Sequence, residues 1–351
     1  MNNNWILYGA YGYTGKLIIK EALKKNYNPI LGGRDKSKLI PLAERLGLGY
    51  EVFDLKDRKT IKNILTKYDL IFNAAGPFKY TSKPIVNACL QSKTHYLDIT
   101  GELPVLERNL KLDNIAKKKG ISIISGVGFD VVPSDCLINV VAEKIQNPVK
   151  LELAITGLGG SSPGTLKTMM EHLPKGIFSR SNGNLITEKL GKNVKKVRFL
   201  DKQRLTMQIT WGDLATAYYS TQIPNINTFM AFPRSFISLF QKYGDLIQFL
   251  LSISLFKRVV QKMIGLLIKG PDRKVRYSKK SFLWAKVENK HGERAEAWLK
   301  TIEPYRFTGI SAIKAIEKVF EQNLTGALTP AQAFGKDFIL KFPETNIYDS
   351  L

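Results

Sequence analysis

The chain has 351 residues, a length typical of two domains, and its 44 % hydrophobic content is that of a globular protein and argues against a disordered chain. Lysine and arginine outnumber aspartate and glutamate by 53 to 30, and this net charge of +23 suits nucleic acid, an anionic membrane or a phosphorylated ligand. The sequence shows no helix-turn-helix spacing, zinc finger or aromatic RNA-binding box, so we expect no nucleic-acid partner. We interpret the excess of positive charge mainly as a lysine-rich surface.

The first part of the chain alternates short apolar runs with helical patterns. Strict alternation with short connections predicts parallel βαβ units, and hence a doubly wound parallel sheet with helices on both faces. We assign this N-terminal α/β domain to residues 1–147. Strands are predicted at 5–8, 29–33, 50–55, 69–76, 94–100 and 121–126, and helices at 15–25, 36–46, 60–67, 82–90 and 105–119.

The pattern changes near residue 148. Several strands follow one another without intervening helices, which predicts a mixed sheet and therefore a second α/β domain, 148–322. The predicted strands are 150–156, 196–200, 204–209 and 216–221, with a hairpin over 282–300 that turns at His291-Gly292, and the predicted helices are 165–173 and 310–320.

Residues 228–270 form an amphipathic segment that we predict to be helical. Its longest nearly uncharged stretch, Leu246 to Phe256, has 11 residues, whereas a membrane-spanning helix needs about 20. Three interpretations stay open. The segment is a core or dimer-interface helix pair, a lid over a hydrophobic substrate, or an interfacial anchor whose lysines contact acidic headgroups.

Cysteines and histidines are few and scattered. Cys89 and Cys136 have no metal-ligand spacing, and neither do the three histidines, so no metal site is expected. Met1 to Asn4 leads directly into an apolar run, without the basic segment or cleavage site of a signal peptide. We therefore expect a cytoplasmic protein with reduced thiols.

Residues 9–15 read G-A-Y-G-Y-T-G and lie between a predicted strand and a predicted helix. Glycines in this position allow a tight turn and the close approach of a pyrophosphate, whose charge is stabilised by backbone amides and the helix N-terminus. The motif therefore predicts a dinucleotide site. The contacts expected from this loop come from Gly9, Tyr11, Gly12, Tyr13, Thr14 and Gly15.

Three further strand ends extend this site. The second predicted strand ends in Gly33 and Arg34, followed by Lys38, and an arginine there pairs with the 2′-phosphate of NADP. Asp35 favours NAD instead, and a solvated turn is the alternative for the whole segment. Asp54, at the end of the third strand, either accepts from the adenine amino group or caps the next helix. The fourth strand ends in Ala75 and Gly76, which leave room for ribose, and Pro77 and Phe78 follow, which we expect to contact the nicotinamide.

The fifth and sixth predicted strands bring four acidic residues to the same edge of the sheet: Asp98, Glu102, Asp130 and Asp135. Asp135, together with Ser134, alternatively caps the helix that follows. No Tyr-x-x-x-Lys pair lies near residues 120–140 to supply a proton. The candidate proton donors are therefore Tyr96, Asp98 and Asp130, with Glu102 nearby.

Taken in chain order, five motifs resemble the saccharopine dehydrogenase-like oxidoreductases. They are G-A-Y-G-Y-T-G, G-G-R-D-K-S-K-L, N-A-A-G-P-F, Y-L-D-I-T-G-E and G-V-G-F-D-V-V-P-S-D-C. Further similar segments, including W-G-D-L-A-T-A-Y-Y-S-T-Q-I-P-N and L-T-P-A-Q-A-F-G, extend the resemblance over nearly the whole chain. Tyr11 departs from the threonine usual in this family.

The resemblance implies a Rossmann domain, a mixed α/β domain and a C-terminal segment, 323–351, that returns to the first domain. The family includes trans-acting enoyl reductases of lipid biosynthesis and an animal member found with membranes and lipid droplets. The segment G-F-D-V-V-P-S-D is also similar, more distantly, to the G-x-D-P-G segment of saccharopine reductases, with Asp130 at the matching aspartate.

Together, the residues and the resemblance predict an NADPH-dependent oxidoreductase that binds NADP(H). It would reduce an enoyl or imine double bond in a hydrophobic, lipid-like or carrier-bound small-molecule substrate. Two alternatives stay open: a membrane-associated scaffold that binds NADP(H) without turnover, and a saccharopine dehydrogenase acting on an amino acid. Peripheral membrane contact through 228–270 and a homodimer are also left open.

Overall fold

The computed structural model describes residues 4–157, 159, 173–267 and 270–351. Internal contacts divide the chain into two compact units, Met1–Val132 with Tyr305–Gly335, and Pro133–Pro304 with Lys336–Leu351. The sequence placed the domain boundaries instead at 147/148 and 322/323.

The first part of the chain alternates strands and helices, as its pattern predicts. In order, the elements are β1 (Trp5–Tyr8), α1 (Tyr13–Lys24), β2 (Ile30–Gly33), α2 (Lys36–Leu46), β3 (Tyr50–Val52), α3 (Arg58–Leu65), β4 (Leu70–Asn73), α4 (Phe78–Ser92), β5 (His95–Asp98), α5 (Leu103–Leu110), α6 (Asp113–Lys119), β6 (Ser122–Ile124) and α7 (Val132–Ala142).

The remainder contains longer strands and several strand pairs without helices between them. The elements are β7 (Pro148–Thr156), β8 (Ile177–Ser181), β9 (Asn184–Glu188), β10 (Val194–Arg198), β11 (Gln203–Gln208), α8 (Asp213–Thr221), β12 (Asn225–Ala231), α9 (Arg234–Ser252), α10 (Ser254–Leu267), α11 (Arg273–Ser278), β13 (Lys280–Asn289), β14 (Arg294–Ile302), α12 (Pro304–Glu321), β15 (Gly326–Leu328), α13 (Pro330–Phe334) and β16 (Asn346–Tyr348).

The first unit contains a seven-stranded sheet in the order β15-β6-β5-β4-β1-β2-β3, and every neighbouring pair is parallel. The chain runs outward from β1 through β2 and β3, and then continues on the other side of β1 with β4. In open parallel sheets, ligands bind outside the carboxyl ends of the strands at such a switch point. The predicted doubly wound sheet is thus confirmed, and its crevice lies at the ends of β1 and β4.

Burial explains why these segments form the centre of the sheet. All four residues of β1, W-I-L-Y, are buried, and so are the four of β4, L-I-F-N. Strands covered on both faces consist of continuous apolar runs of this kind. Ile18, Ile19 and Ala22 are buried on the apolar face of helix α1.

The second unit contains the predicted mixed sheet, in the order β10-β11-β12-β7-β13-β14-β16, with β8 and β9 attached through β12. Strands β12 and β7 are parallel, whereas β7, β13 and β14 are antiparallel neighbours. The hairpin predicted over 282–300 is confirmed, and its turn includes His291 and Gly292.

Three predicted elements differ from the structure. Residues 216–221 lie in helix α8 and not in a strand, because Leu214, Ala215 and Ala217 form a buried helical face despite the strand propensity of the tyrosines. The single helix predicted at 105–119 is two helices, α5 and α6. Residues 228–231 belong to β12, so the predicted helical segment begins only at α9. The predicted helix 165–173 falls almost entirely outside the described residues.

The C-terminal return differs in extent from the predicted one. Strand β15 joins the first sheet beside β6, with Gly326 opposite Ser122, and helix α12 packs on α1, where Gly309 lies close to Leu17 and Glu21. Strand β16, however, pairs with β14 in the second sheet. The returning segment is therefore Tyr305–Gly335.

Candidate functional site

The glycine loop closes tightly between β1 and α1. The Gly12 amide donates to the Gly9 carbonyl at 2.9 Å, and Gly9 has a φ of +87°, which favours glycine. A methyl group at Gly9 would lie 2.8 Å from the Ala75 nitrogen, and one at Gly15 would lie 2.4 Å from the Gly9 carbonyl oxygen. Side chains at these two positions would therefore fill the crevice and separate the loop from α1.

The start of helix α1 suits a phosphate. Its N-cap residue, Gly12, supplies no side-chain hydrogen bond, and its first turn carries no acidic residue. A helix N-terminus of this kind presents backbone N–H groups and a partial positive charge to an anion. Tyr13 and Thr14 are half-buried in that first turn, and the Tyr13 ring packs edge-on against Tyr305 at 5.0 Å.

Beyond β2, two predicted cofactor residues, Arg34 and Lys38, are exposed. Asp35 caps helix α2, because its carboxylate accepts from the amide and hydroxyl of Ser37 at 3.1 and 2.7 Å. Lys38 lies 2.9 Å from the same carboxylate. The Ser37 hydrogen bond and Lys38 hold the pKa of Asp35 below its usual range. Asp35 is thus engaged within its own helix, whereas Arg34 is exposed.

Asp54 is exposed after β3 and does not cap the next helix. Its carboxylate accepts from the Lys56 amide at 3.0 Å, which is a local turn. The cap of α3 is Asp57, whose carboxylate accepts from the Thr60 amide at 3.0 Å. The alternative of a helix cap at Asp54 was therefore wrong.

The segment after β4 approaches the glycine loop from the other side. The Ala74 amide donates to the Tyr8 carbonyl at 2.8 Å, and Ala75 donates its amide to the Asn73 side chain at 3.0 Å. Gly76 is exposed and forms a cis peptide bond with Pro77. These contacts keep the segment 74–77 beside the glycine loop, and its contact with ribose stays a prediction.

Glu102 caps helix α4, a role that the sequence did not predict. Its carboxylate accepts from the amides of Phe78 and Lys79 at 2.6 and 2.9 Å. Phe78 itself is only 9 % exposed, and its ring lies beside the backbone of Gly76. The carboxylate therefore offsets the positive helix end and fixes the start of α4.

Tyr96 and Asp98, two of the predicted proton donors, are fully buried. One oxygen of Asp98 accepts from the Tyr96 hydroxyl at 2.7 Å and the Ser125 hydroxyl at 3.0 Å. The other accepts from the amides of Thr100 and Gly126, each at 3.0 Å. Burial raises the pKa of Asp98, although these hydrogen bonds oppose the shift.

Neighbouring side chains extend this network across three strands. Asn73 at the end of β4 donates to the Tyr96 hydroxyl at 3.2 Å, and Asn109 of α5 donates to Ser125 at 2.8 Å. The pair formed by Tyr96 and Asp98 therefore ties together the carboxyl ends of β4, β5 and β6. The burial of this pair favours a positioning role, and proton donation by Tyr96 or Asp98 stays a prediction.

Asp130, the third predicted donor, differs in its surroundings. It is partly exposed and follows β6, with its carboxyl group in contact with Gly101, where a methyl group would lie 3.0 Å from an Asp130 oxygen. No hydrogen bond to its carboxyl group is formed within the described ranges. Desolvation raises the pKa of Asp130 to about 6. A carboxyl group of this kind exchanges protons near neutral pH, which suits a general acid.

Ser134 and Asp135 do not cap a helix start, because α7 begins earlier, at Val132. The Ser134 hydroxyl donates to buried Asp213 of α8 at 2.8 Å. Burial, and next the charge of Asp135, raise the pKa of Asp213 well above its usual range. Sequence spacing gave no signal for this pair of carboxyl groups, since 78 positions separate them.

Two negative findings concern the described ranges alone. In them, no group of three or more His, Cys, Asp and Glu side chains could hold a metal ion. Nor does any helix there have the length and apolar content needed to cross a membrane.

Residues 5–124 match the family model of the saccharopine dehydrogenase NADP binding domain. A probable mitochondrial saccharopine dehydrogenase-like oxidoreductase of Arabidopsis thaliana is 31 % identical over 147 residues, which cover 37 % of this chain and 32 % of the relative. A trans-acting enoyl reductase of Mycobacterium ulcerans is 30 % identical over 161 residues, covering 44 % and 38 %. The matches thus span less than half of the length of these curated relatives.

Among solved structures, apo saccharopine dehydrogenase (L-Glu forming) from Saccharomyces cerevisiae is similar along its whole length. The TM-score is 0.65, at 12 % sequence identity, and the match covers 99 % of this chain and 100 % of the yeast chain. At this identity the likeness concerns the fold, and it confirms the expected parallel-sheet domain followed by a mixed-sheet domain.

Proposed function

We propose, from the premise that residues 5–124 form an NADP-binding domain of the saccharopine dehydrogenase family, that the chain is an NADPH-dependent oxidoreductase. It reduces a carbon–carbon or carbon–nitrogen double bond in a hydrophobic substrate. The observation that carries this proposal is Asp130, a partly exposed residue at the same sheet edge as the glycine loop, whose carboxyl group has its pKa raised by desolvation to about 6.

The residues around the crevice fit NADPH. Gly9, Gly12 and Gly15 allow the close backbone packing of the loop at the start of α1, where the backbone amides would hold the pyrophosphate, and the exposed Arg34 would pair with the 2′-phosphate. Asp54 would accept from the adenine amino group, and the backbone of 74–77 would contact the nicotinamide ribose. Bound NADPH supplies a hydride to one atom of the double bond, so the protein must supply a proton to the other.

Asp130 supplies that proton in this proposal. In its protonated form, a carboxyl oxygen of Asp130 donates to the substrate atom that does not receive the hydride, and the carboxylate regains a proton from solvent. Its partial exposure permits this exchange, and a pKa of about 6 keeps a useful fraction protonated at neutral pH. Tyr96 and Asp98 hold the neighbouring strand ends in place.

The exposed surface of helix α9 favours an apolar, lipid-like substrate for this protein. Ile237, Gly244 and Leu251 form its buried face. On the opposite side, apolar residues recur every three or four positions: Leu239, Tyr243, Leu246, Phe249 and Ile253, each at least 42 % exposed. Helix α10 continues this apolar stripe with Leu255, Phe256, Val259 and Met263, which are 41–72 % exposed.

Basic side chains accompany the apolar stripe. Arg234, Lys242, Lys257, Arg258 and Lys262 lie on these two helices, whose acidic residue is Asp245. Apolar and cationic groups together favour the surface of an anionic membrane. We therefore propose that α9 and α10 contact such a surface peripherally. Because one relative carries a mitochondrial name, the cytoplasmic location stays a prediction.

Vesicle flotation tests this contact. The protein should float with vesicles containing phosphatidylserine, and Leu246→Glu with Phe249→Glu should abolish flotation. Ile115→Glu, an exposed apolar residue of α6 that is 47 % exposed, is the matched control and should float normally. If the double variant instead converts a dimer into a monomer and leaves flotation unchanged, the stripe is a dimer interface and the membrane proposal fails.

The reaction is tested by NADPH oxidation with a panel of apolar enoyl and imine compounds, with saccharopine as a further member. Turnover of an apolar member supports the proposal. NADPH binding without turnover of any member would indicate the scaffold alternative, and turnover of saccharopine alone would indicate the amino-acid alternative. Either of these two results would overturn the assigned substrate class.

A further inference from the structure

The side chain of Tyr11 occupies the space above Gly33. A methyl group at Gly33 would lie 2.5 Å from one ring carbon of Tyr11 and 3.3 Å from another. Gly33 does not have a left-handed φ, so its backbone would accept another residue. It is the Tyr11 ring, and not the backbone conformation, that requires a glycine at the end of β2.

The backbone under this ring is held firmly. The amides of Gly9 and Ala10 donate to the Gly32 carbonyl at 2.9 and 3.3 Å, which ties the glycine loop to β2. Tyr11 is half-buried, whereas Arg34 beside it is exposed. The ring therefore forms a fixed wall between the phosphate loop and the segment that follows β2.

Charged and phenolic groups surround this wall. Asp35 raises the pKa of Lys38, and the Tyr11 phenol adds to that shift, while Arg34 opposes it. Burial raises the pKa of Tyr8, to which the nearby Tyr11 contributes further. Tyr11 thus lies close enough to Lys38 for their charges to interact, at the strand end where the adenosine ribose of a dinucleotide lies in this fold.

We propose that Tyr11 is a specificity-determining residue of the cofactor site, with Gly33 as its structural partner. The ring, seated on Gly33, is the wall of the adenosine-ribose pocket, and its hydroxyl donates a hydrogen bond to the 2′-phosphate of NADPH beside Arg34. The inference rests on NADP binding by this domain and is independent of turnover.

The first test removes the hydroxyl alone. Tyr11→Phe should raise the Kd for NADPH about tenfold, the usual effect of losing a hydrogen bond to a charged group, and should leave the Kd for NADH within about twofold. Both constants are measured by fluorescence titration of the folded protein. Tyr50→Phe is the control and should change neither Kd, because Tyr50 begins β3 and so lies at the opposite edge of the sheet from the cofactor crevice. An equal change for both cofactors, or no change for NADPH, overturns the proposed hydrogen bond.

The second test measures the coupling between Tyr11 and Gly33. Gly33→Ala should raise the Kd for NADPH about tenfold, because the methyl group displaces the ring. In a Tyr11→Thr background, the same change should cost less than about twofold. Gly49→Ala is the matched control, since its methyl group would also meet only a side-chain atom, at 2.7 Å from Ile30. An equal cost of Gly33→Ala in both backgrounds overturns the partnership.

These outcomes are separate from those of the reaction. If the wild-type protein binds NADPH and NADH equally, the proposed preference for NADP is wrong, and so is the proposed role of Tyr11 in it. If NADPH is preferred but no panel compound is reduced, the reaction fails and the titrations still decide the role of Tyr11.

Discussion

Replacing Asp130 with asparagine tests the role of this carboxyl group without knowledge of the substrate. The native pKa is raised from 3.8 to about 6 by desolvation. The native state therefore holds the proton more tightly than the unfolded state between these two values, and the free energy of unfolding of the wild type falls as pH rises through this window. Asparagine has nearly the same shape as aspartate and does not ionise. The free energy of unfolding of the variant therefore does not fall in this way as pH rises.

The size of the effect follows from the shift. A change from 3.8 to about 6 corresponds to about 3 kcal/mol once the carboxyl group is fully ionised. Partial exposure of Asp130 screens its charge and makes this figure an upper limit. Above pH 6, Asp130→Asn should therefore be about 1–3 kcal/mol more stable relative to the wild type than it is at pH 4.

Urea unfolding of both proteins across this pH range measures the difference directly. Asp57→Asn is the control of opposite sign, because hydrogen bonds from Thr60 lower the pKa of Asp57, so its carboxylate loses its stabilising contribution as pH falls. A stability difference between wild type and Asp130→Asn that does not change with pH would refute the raised pKa. In the reaction, the same variant should lower kcat by about 10²–10⁴-fold, and wild-type kcat should fall as pH rises past 6.

Three further predictions concern single side chains. Arg34→Ala should raise the Kd for NADPH about 10–100-fold and leave that for NADH unchanged in fluorescence titration, whereas Arg45→Ala, at the other end of α2, should change neither. Glu102→Ala removes the cap of α4 and should lower the free energy of unfolding by about 2 kcal/mol in urea, unlike Glu44→Ala on the surface. Asp213→Asn removes a carboxyl group whose pKa is raised by burial. The melting temperature of this variant should exceed that of the wild type by an amount that grows as pH rises from 4 to 7, and a constant difference would contradict the raised pKa of Asp213.

Local pattern was sufficient for the first sheet and for the glycine loop. The alternation of buried apolar runs such as W-I-L-Y with amphipathic helices specifies parallel strands, and the switch point then places residues 9–15 and 74–77 together. Each βαβ unit depends on neighbours within about 30 residues, and the switch point follows from the order of these units along the chain. They could therefore be predicted without any knowledge of long-range packing.

Other features depend on residues distant in the chain. The hydrogen-bond network around Tyr96 and Asp98 includes Ser125, which follows β6, and Asn109 of α5. Helix α8 forms in a segment rich in strand-favouring tyrosines because one face is buried in the second unit. The contact of α12 with α1 joins positions almost 300 residues apart, as in the Lys25–Glu317 ion pair. No spacing in the sequence indicates such pairs.

The most direct test of the proposed reaction is isotope transfer from the cofactor. NADPH carrying deuterium in place of the transferred hydride is mixed with the protein and the apolar enoyl or imine compounds, and the products are analysed by mass spectrometry. We predict a reduced product that contains one deuterium from the cofactor and one hydrogen from solvent, formed far more slowly by Asp130→Asn. NADPH that binds without transferring deuterium to any member of the panel would contradict the proposal.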